Sequence, residues 1–232
     1  TPVISSAASD VYKRQSSWRS EKSVTSWLKE YEIPFSGGFD VRSITKHLRD
    51  CGSSMFAIGQ EIDKDSLINL VMNAKDIIGD NSALTAGSLN LGDDTVGKVG
   101  ILDLGAKQSI VNVLKKLNFQ AVAISPNESA ENILSMNLKG ILISNGPGDP
   151  FETYKSIQKN FDKLLNLNLP IFGICIGHQL LALAFGAQTE KMKQGHRGAN
   201  HPVYRLKDKK VEITSQNHGF KVVEETLPSF LN

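Results

Sequence analysis

The sequence contains little cysteine: Cys51 and Cys175 are the only two in 232 residues, and they lie far apart without metal-ligand spacing. This pattern excludes a disulfide framework and gives no support for a zinc site. The sequence also lacks a run of about eighteen apolar residues, as a membrane helix requires, and a basic segment followed by an apolar one at its start. We therefore expect a cytoplasmic protein with no membrane partner.

An excess of charge of one sign is missing as well. Twenty-six Lys and Arg oppose 24 Asp and Glu, for a formal net charge of +2, so we expect no nucleic-acid partner. The 40% hydrophobic and 7% aromatic content is that of ordinary globular proteins, which excludes a fibrous or disordered chain. The length allows one large domain or two small ones.

Changes in the apolar pattern divide the chain into four predicted segments. Residues 1–15 show no period, and we expect a tail that is either disordered or a non-native adaptor translation. Residues 16–80 are predicted from their apolar spacing to hold helices at 21–31, 41–50 and 66–78 and one short strand at 54–58. Residues 81–96 are predicted to form a polar, glycine-rich linker. Residues 97–232 alternate apolar strands with helices, which is typical of an α/β sheet.

The apolar runs within 97–232 predict buried parallel strands, since such strands read as continuous apolar stretches. Ligands of these sheets bind beyond the carboxyl ends of the strands. The strands are predicted at 99–104, 119–125, 140–144 and 170–174, with an added antiparallel piece at 201–206 and 210–215.

The segment Gly173-Ile174-Cys175-Ile176-Gly177 has the form of a nucleophile elbow, a sharp strand-to-helix turn with small residues beside the nucleophile. The positive end of the following helix is expected to lower the pKa of the Cys175 thiol. The backbone N–H of Ile176 is then a candidate oxyanion donor. The alternative is that Cys175 is a buried core thiol, as most free cysteines are.

A second loop, Asn145-Gly146-Pro147-Gly148-Asp149-Pro150, follows the preceding strand. Its glycines permit a tight turn whose N–H groups face a ligand, although a loop of this kind taken alone is more often an ordinary Gly/Pro connection. The two loops follow the carboxyl ends of successive strands, so a shared pocket is expected between them.

Together these motifs resemble the class I glutamine amidotransferases. The runs GAKQSI, MKQGHRGANHPV and TSQNHGF, with FDVRSITKHLRDCGSSMFAI upstream, narrow the resemblance to the small, glutamine-hydrolysing subunits of carbamoyl phosphate synthetases. The resemblance covers residues 17–232. It implies an α/β fold, with a flavodoxin-like parallel sheet flanked by helices, preceded by the end of a smaller N-terminal domain.

The resemblance also implies a function. Cys175 would attack the side-chain amide of L-glutamine, and the ammonia would pass to a large synthetase subunit. That partner would use bicarbonate, ATP and Mg to make carbamoyl phosphate for arginine and pyrimidine synthesis, while the small subunit would need no cofactor. The glutamine contacts implied by the resemblance fall on Gly146, Gly148, Ile176, Gln179, Asn217, Gly219 and Phe220.

The family's general base, a His followed two residues later by a Glu, has no counterpart in this sequence, and a glutamine-contacting serine near the family's start is also missing. We therefore expect an internal fragment of a longer protein. Of the five histidines, His178 is expected to be a structural member of the elbow and His218 a support of the substrate loop. His196 and His201 are expected to be structural or interface residues, and His47 solvated.

Three alternatives remain open. The chain could feed ammonia to anthranilate or nucleotide synthesis, although such relatives usually lack the upstream domain and the GHRGANHP run. It could be a non-catalytic scaffold that has lost the triad. It could also be a cysteine hydrolase of the α/β-hydrolase type, which the missing downstream Asp and His disfavour.

These 232 residues alone are expected to hydrolyse glutamine very slowly. A general base contributes about 10² to 10⁴ in rate, and the sequence offers no evident one. A glutaminase assay on the purified chain checks this, and turnover at the rate of an intact family member would contradict it.

Overall fold

The chain divides after Phe56 into two units, Thr1–Phe56 and Ala57–Asn232. The structure, a computed structural model, describes residues 20–59, 61–85 and 96–231. The predicted tail at 1–15 lies outside the described residues, as do residues 86–95 of the predicted linker. The division after Phe56 differs from the domain boundary expected at residue 80, which stays a prediction.

The described residues of the first unit, 20–56, form two helices, and each begins at a polar capping residue. In α1 (Val24–Glu30) the Ser23 side chain accepts the Ser26 N–H, and in α2 (Val41–Cys51) the Asp40 carboxylate accepts the Ser43 N–H. Such side chains satisfy backbone donors that the first helical turn leaves unpaired. Both helices lie where the apolar spacing predicted them.

The second unit begins with another short helix. Helix α3 (Lys64–Met72) starts after Asp63, whose side chain accepts the Ser66 N–H. It ends before the predicted limit at residue 78. A 3-10 helix then covers Ser82–Thr85, inside the predicted linker.

A parallel sheet forms the framework of this unit. Its strands are β1 (Lys98–Leu102), β2 (Gln120–Ile124), β3 (Leu138–Ile143) and β4 (Ile171–Gly173). Their order is β2-β1-β3-β4, and every neighbouring pair is parallel. The predicted parallel α/β sheet is confirmed, and each carboxyl end lies at the same edge.

Helices connect the strands and cover both faces of the sheet. They are α4 (Gln108–Lys116), α5 (Ala130–Ser135), α6 (Pro150–Leu165) and α7 (Ile176–Ala184). Successive strand residues point to opposite faces, and Ile101 accordingly packs with Val111 of α4, whereas Leu102 packs in a cluster with Phe161 of α6 and Leu180 of α7. The central strands β1 and β3 are therefore covered on both faces, whereas Phe172 on the edge strand β4 is exposed.

After α7 the chain forms a long antiparallel hairpin of β5 (Thr189–Arg205) and β6 (Lys210–Val222). The added antiparallel piece is thus confirmed, and it is longer than the predicted runs. Irregularities in register fall between Lys191 and His196 and between Gly198 and His201. Across the described ranges, no helix combines the length and apolar composition needed to span a bilayer.

The strand predicted at 54–58 is wrong, because these residues form no strand. Met55, Phe56 and Ile58 are 50%, 74% and 56% exposed, so within the described ranges they gain neither a partner strand nor a buried face. A short apolar run alone does not distinguish a strand from an extended connection.

The core of the sheet's α6 face depends on Phe161. Its ring is 2% exposed and meets the Tyr154 ring edge-on, with the two centroids 6.0 Å apart. Phe161→Ala is expected to lower the free energy of unfolding by about 3 to 5 kcal/mol, as aromatic truncation in cores does. Phe151→Ala on the same helix, at a side chain 52% exposed, is the control and should change it by about 0.5 kcal/mol or less. Urea denaturation measures both, and equal losses would contradict this account of the core.

Candidate active site

Cys175 occupies a sharp turn between β4 and α7, where its backbone has φ 56° and ψ −111°. A positive φ is uncommon for a residue with a side chain and stores strain. The strand, the turn and the helix that starts at Ile176 have the arrangement of a nucleophile elbow. The predicted elbow geometry is confirmed, whereas the catalytic role of Cys175 stays a prediction.

The glycines beside Cys175 allow this turn to close. A Cβ added at Gly173 would lie 2.6 Å from the carbonyl carbon and oxygen of Gly177 and from the His178 nitrogen. Any side chain at position 173 would therefore collide with the first turn of α7. In addition, the Ile174 N–H donates to the Ile143 carbonyl at 2.9 Å, which holds the turn beside β3.

The electrostatics of the thiol differ from the expectation. Burial raises the pKa of Cys175 above its ordinary value, while the Ile176 N–H and the charge of Lys107 act in the opposite direction. The Ile176 N–H at the start of the helix lowers the pKa, as expected, but desolvation disfavours the thiolate more strongly, so the net pKa is raised and not lowered. In the described part of the chain, no histidine is among the groups that act on this thiol.

The loop that follows β3 is tied to the loop that follows β1. The buried Ser144 hydroxyl accepts the Leu104 N–H at 3.0 Å. Asn145 bridges the same two loops: its Oδ1 accepts the Lys107 N–H at 3.2 Å and its Nδ2 donates to the Gly105 carbonyl at 3.1 Å. These bonds position the Gly146–Gly148 loop, which was predicted to face a ligand. They also position Lys107, which the sequence analysis did not single out. The position of Lys107 just beyond the carboxyl end of β1 is what could have indicated, from the sequence, that it lies near the site.

Gln179 joins the elbow to the hairpin. Its side chain is 6% exposed, and its Nε2 donates to the Phe220 carbonyl oxygen at 2.7 Å. A buried amide needs such partners to offset its desolvation. The predicted contact between Gln179 and glutamine stays a prediction, and in this structure part of the amide is engaged by the protein itself.

The remaining predicted contacts lie together on β6. The Asn217 Oδ1 accepts a hydrogen bond from Arg197 Nη1 at 2.6 Å across the hairpin. Phe220 is buried, and its carbonyl accepts from both Gln179 and His218 Nδ1, the latter at 2.7 Å. Gly219 lies between His218 and Phe220 in the chain. Arg197 was missed by the sequence analysis, because its contact depends on the hairpin register.

Three histidines, His196, His201 and His218, lie on the hairpin. His218 Nε2 lies 3.2 Å from His196 Nδ1 and 3.0 Å from Gln216 Oε1, and its Nδ1 donates to the Phe220 carbonyl. The expected role of His218 as a support of the substrate loop stays a prediction. The rings of His196 and His201 lie 5.1 Å apart between centroids. Desolvation, and then the charge of His218, lower the pKa of His178, which favours its neutral form.

The structure thus brings the predicted residues into two walls. The first wall is the Gly146–Gly148 loop with Cys175 and Ile176, at the carboxyl ends of the neighbouring strands β3 and β4. The second wall is the stretch from Asn217 to Phe220 on β6, and Gln179 connects it to α7.

Comparison with known proteins gives one match near the start of the sequence and another over its α/β part. The family model for glutamine amidotransferase class-I matches residues 100–232. The model for the CPSase domain of the carbamoyl-phosphate synthase small chain matches residues 3–58.

Curated relatives match over most of this chain. The carbamoyl phosphate synthase small chain of Akkermansia muciniphila is 37% identical over 94% of this chain and 62% of its own length. That of Thermotoga maritima is 40% identical over 89% of this chain and 54% of its own. The chain therefore spans about three fifths of the length of the curated relatives that it matches.

Among solved structures, a putative GMP synthase subunit from Thermoplasma acidophilum is similar with a TM-score of 0.50 and 23% identity. The match covers 59% of this chain and 71% of that protein, and at this identity it supports the fold alone. The sheet, the elbow at Cys175 and a family match over more than half of the residues lead to one conclusion: the chain belongs to the class-I glutamine amidotransferase family.

Proposed function

We propose that this chain is the glutamine-hydrolysing part of a carbamoyl phosphate synthase. The observation that carries the proposal is the strained Cys175 at the start of α7, with the Ile176 N–H acting on its sulfur. The match of residues 3–58 to the small-chain domain supports this synthase over other ammonia users.

In the proposed reaction, the Cys175 thiolate attacks the side-chain amide carbon of L-glutamine and forms a C–S bond. The carbonyl oxygen takes up the negative charge, and the Ile176 N–H donates to it. Collapse of this intermediate breaks the C–N bond, and the nitrogen leaves as ammonia after gaining a proton. Water then hydrolyses the thioester, which releases glutamate and restores the thiol.

Substrate binding is proposed to use the two walls described above. Backbone groups of the loop and of β6 would recognise the amino-acid end of glutamine, while Gln179 would contribute side-chain hydrogen bonds. The proposed contacts are Gly146, Gly148, Ile176, Gln179, Asn217, Gly219 and Phe220.

The proposed partner is a large synthetase subunit that consumes the ammonia, together with bicarbonate and ATP, in the cytoplasm. The glutaminase step needs no cofactor of its own in this proposal, because the thiol supplies the nucleophile and backbone N–H groups stabilise the charge. No nucleic acid or membrane takes part.

A chloroketone analogue of glutamine is expected to label Cys175 and not Cys51. The sulfur would displace chloride and form a C–S bond at the position of the glutamine amide. Peptide mass spectrometry after brief exposure measures both sites, with added L-glutamine as competitor and Cys175→Ala as control. Labelling of both cysteines, or of neither, would contradict the assignment of the nucleophile.

The alkylation rate of Cys175 by iodoacetamide is expected to rise with pH through a midpoint above that of a cysteine in a short peptide. Burial raises the pKa of this thiol, so less thiolate exists at any pH below that midpoint. Lys107→Met should move the midpoint further up, because the Lys107 charge favours the thiolate.

Lys116→Met, at an exposed position on α4, is the matched control and should leave the midpoint in place. A midpoint at or below the peptide value, or equal shifts in the two lysine variants, would show that this description of the thiol is wrong.

A further inference from the structure

Residues 76–84, here called the strap, follow α3 in the chain and contact both the loop of the first wall and the hairpin that carries the second wall. Composition assigned the end of this segment to a linker. Its contacts instead connect it to residues about seventy or more positions away in the sequence.

The strap is bonded to the loop of the first wall through Asp149. The Gly79 N–H donates to Asp149 Oδ2 at 3.1 Å, and the Asp149 N–H donates to the Asp80 carbonyl at 2.7 Å. The other carboxylate oxygen, Oδ1, accepts the Phe151 N–H at 2.8 Å and caps α6. Asp149 is 6% exposed, so these donors offset the desolvation of its carboxylate.

The strap also packs directly against the Gly146–Gly148 loop. Gly148 has φ 92°, and a Cβ added there would lie 2.7 Å from the Asp80 carbonyl oxygen. The Asp80 backbone thus occupies the space beside Gly148. The position of this loop depends on the position of the strap.

An ion pair joins the strap to the hairpin that carries the second wall. Asp76 Oδ1 lies 3.0 Å from Lys191 Nζ, and Lys191 is paired with Phe220 in the hairpin register. Phe220 in turn accepts the Gln179 hydrogen bond. The same strap therefore contacts the loop at one point and the hairpin at another.

The C-terminal end of the strap is fixed in the core. Ala83 is fully buried in the cluster that contains Phe161. The Asp80 carboxylate accepts the Ser82 N–H at 3.0 Å and the Ser82 hydroxyl at 2.7 Å, which stabilises the turn before Ala83. An anchored segment of this kind can hold two elements at a set separation, whereas a mobile linker cannot.

We propose that the strap is a positioning element for substrate binding, in which Asp149 and the Asp76–Lys191 pair hold the two walls at the separation that glutamine requires. The proposal rests on the proposed function of the same site. None of these side chains is assigned a contact with substrate, so each acts through Gly148 or through Phe220.

The test is the concentration dependence of Cys175 labelling by the chloroketone analogue in Asp149→Asn, measured on the full chain. Gly79 and Phe151 donate to different oxygens of the Asp149 carboxylate, and an asparagine replaces one of these oxygens with an NH2 group that cannot accept. The analogue concentration for half-maximal labelling should rise by about tenfold, the effect of losing one hydrogen bond to a charged group. The iodoacetamide rate, which needs no substrate binding, should stay unchanged.

Asp63→Asn is the matched control, since Asp63 caps α3 in the same way and has no assigned contact with either wall. It should leave both labelling constants unchanged. If Asp149→Asn alters analogue and iodoacetamide labelling equally, in step with its melting temperature, the role is structural only and the proposal is overturned.

A second pair of variants keeps the test decisive if Asp149→Asn folds poorly. Asp76→Lys should raise the half-maximal analogue concentration by about twofold to fivefold, the range expected from one exposed ion pair. Combining it with Lys191→Asp restores opposite charges and should restore the wild-type value. Failure of this rescue, or no effect of Asp76→Lys, would contradict the inference for the hairpin.

The wild-type chain separates the two proposals. Absence of glutamine-protected labelling in the wild type would overturn the proposed function, and the positioning role with it. Normal wild-type labelling with unchanged variants would overturn the positioning role alone.

Discussion

The left-handed backbone of Cys175 is the constraint on which the candidate site depends. A turn with positive φ at a residue with a side chain costs about 1 to 3 kcal/mol and persists only where its surroundings fix it. Here the Ile174 N–H bonds to the Ile143 carbonyl, and Ile176 and Leu180 are buried behind the turn. The tight core around α7 thus holds the thiol at the end of β4, where the loop after β3 also ends.

Burial has opposite effects on the framework and on the nucleophile. The same exclusion of water that stabilises the packing of α7 raises the pKa of Cys175, and the Ile176 N–H and Lys107 offset only part of this effect. A partly buried thiol with a raised pKa forms less thiolate, which is the form that oxidants attack.

Local patterns in the sequence predicted the parallel strands, their helices, the hairpin and the elbow, because apolar periodicity and the Gly-x-Cys-x-Gly spacing are properties of neighbouring residues. The failures have physical reasons. Residues 54–58 have strand-like composition but no partner strand in the described ranges, and the thiol pKa depends on how deeply the folded chain buries Cys175. Arg197 and Asp149 act through partners far away in the sequence, which periodicity does not encode.

The buried position of Ala83 bears on where this protein can be divided. A shortened chain that begins at Lys98 would retain the four described parallel strands and the hairpin. It would nevertheless lack the small side chain that fills the core beside α6 and the backbone partners of Asp149. The packing of the sheet therefore includes residues well upstream of its first strand, among them one that composition alone assigns to a connector.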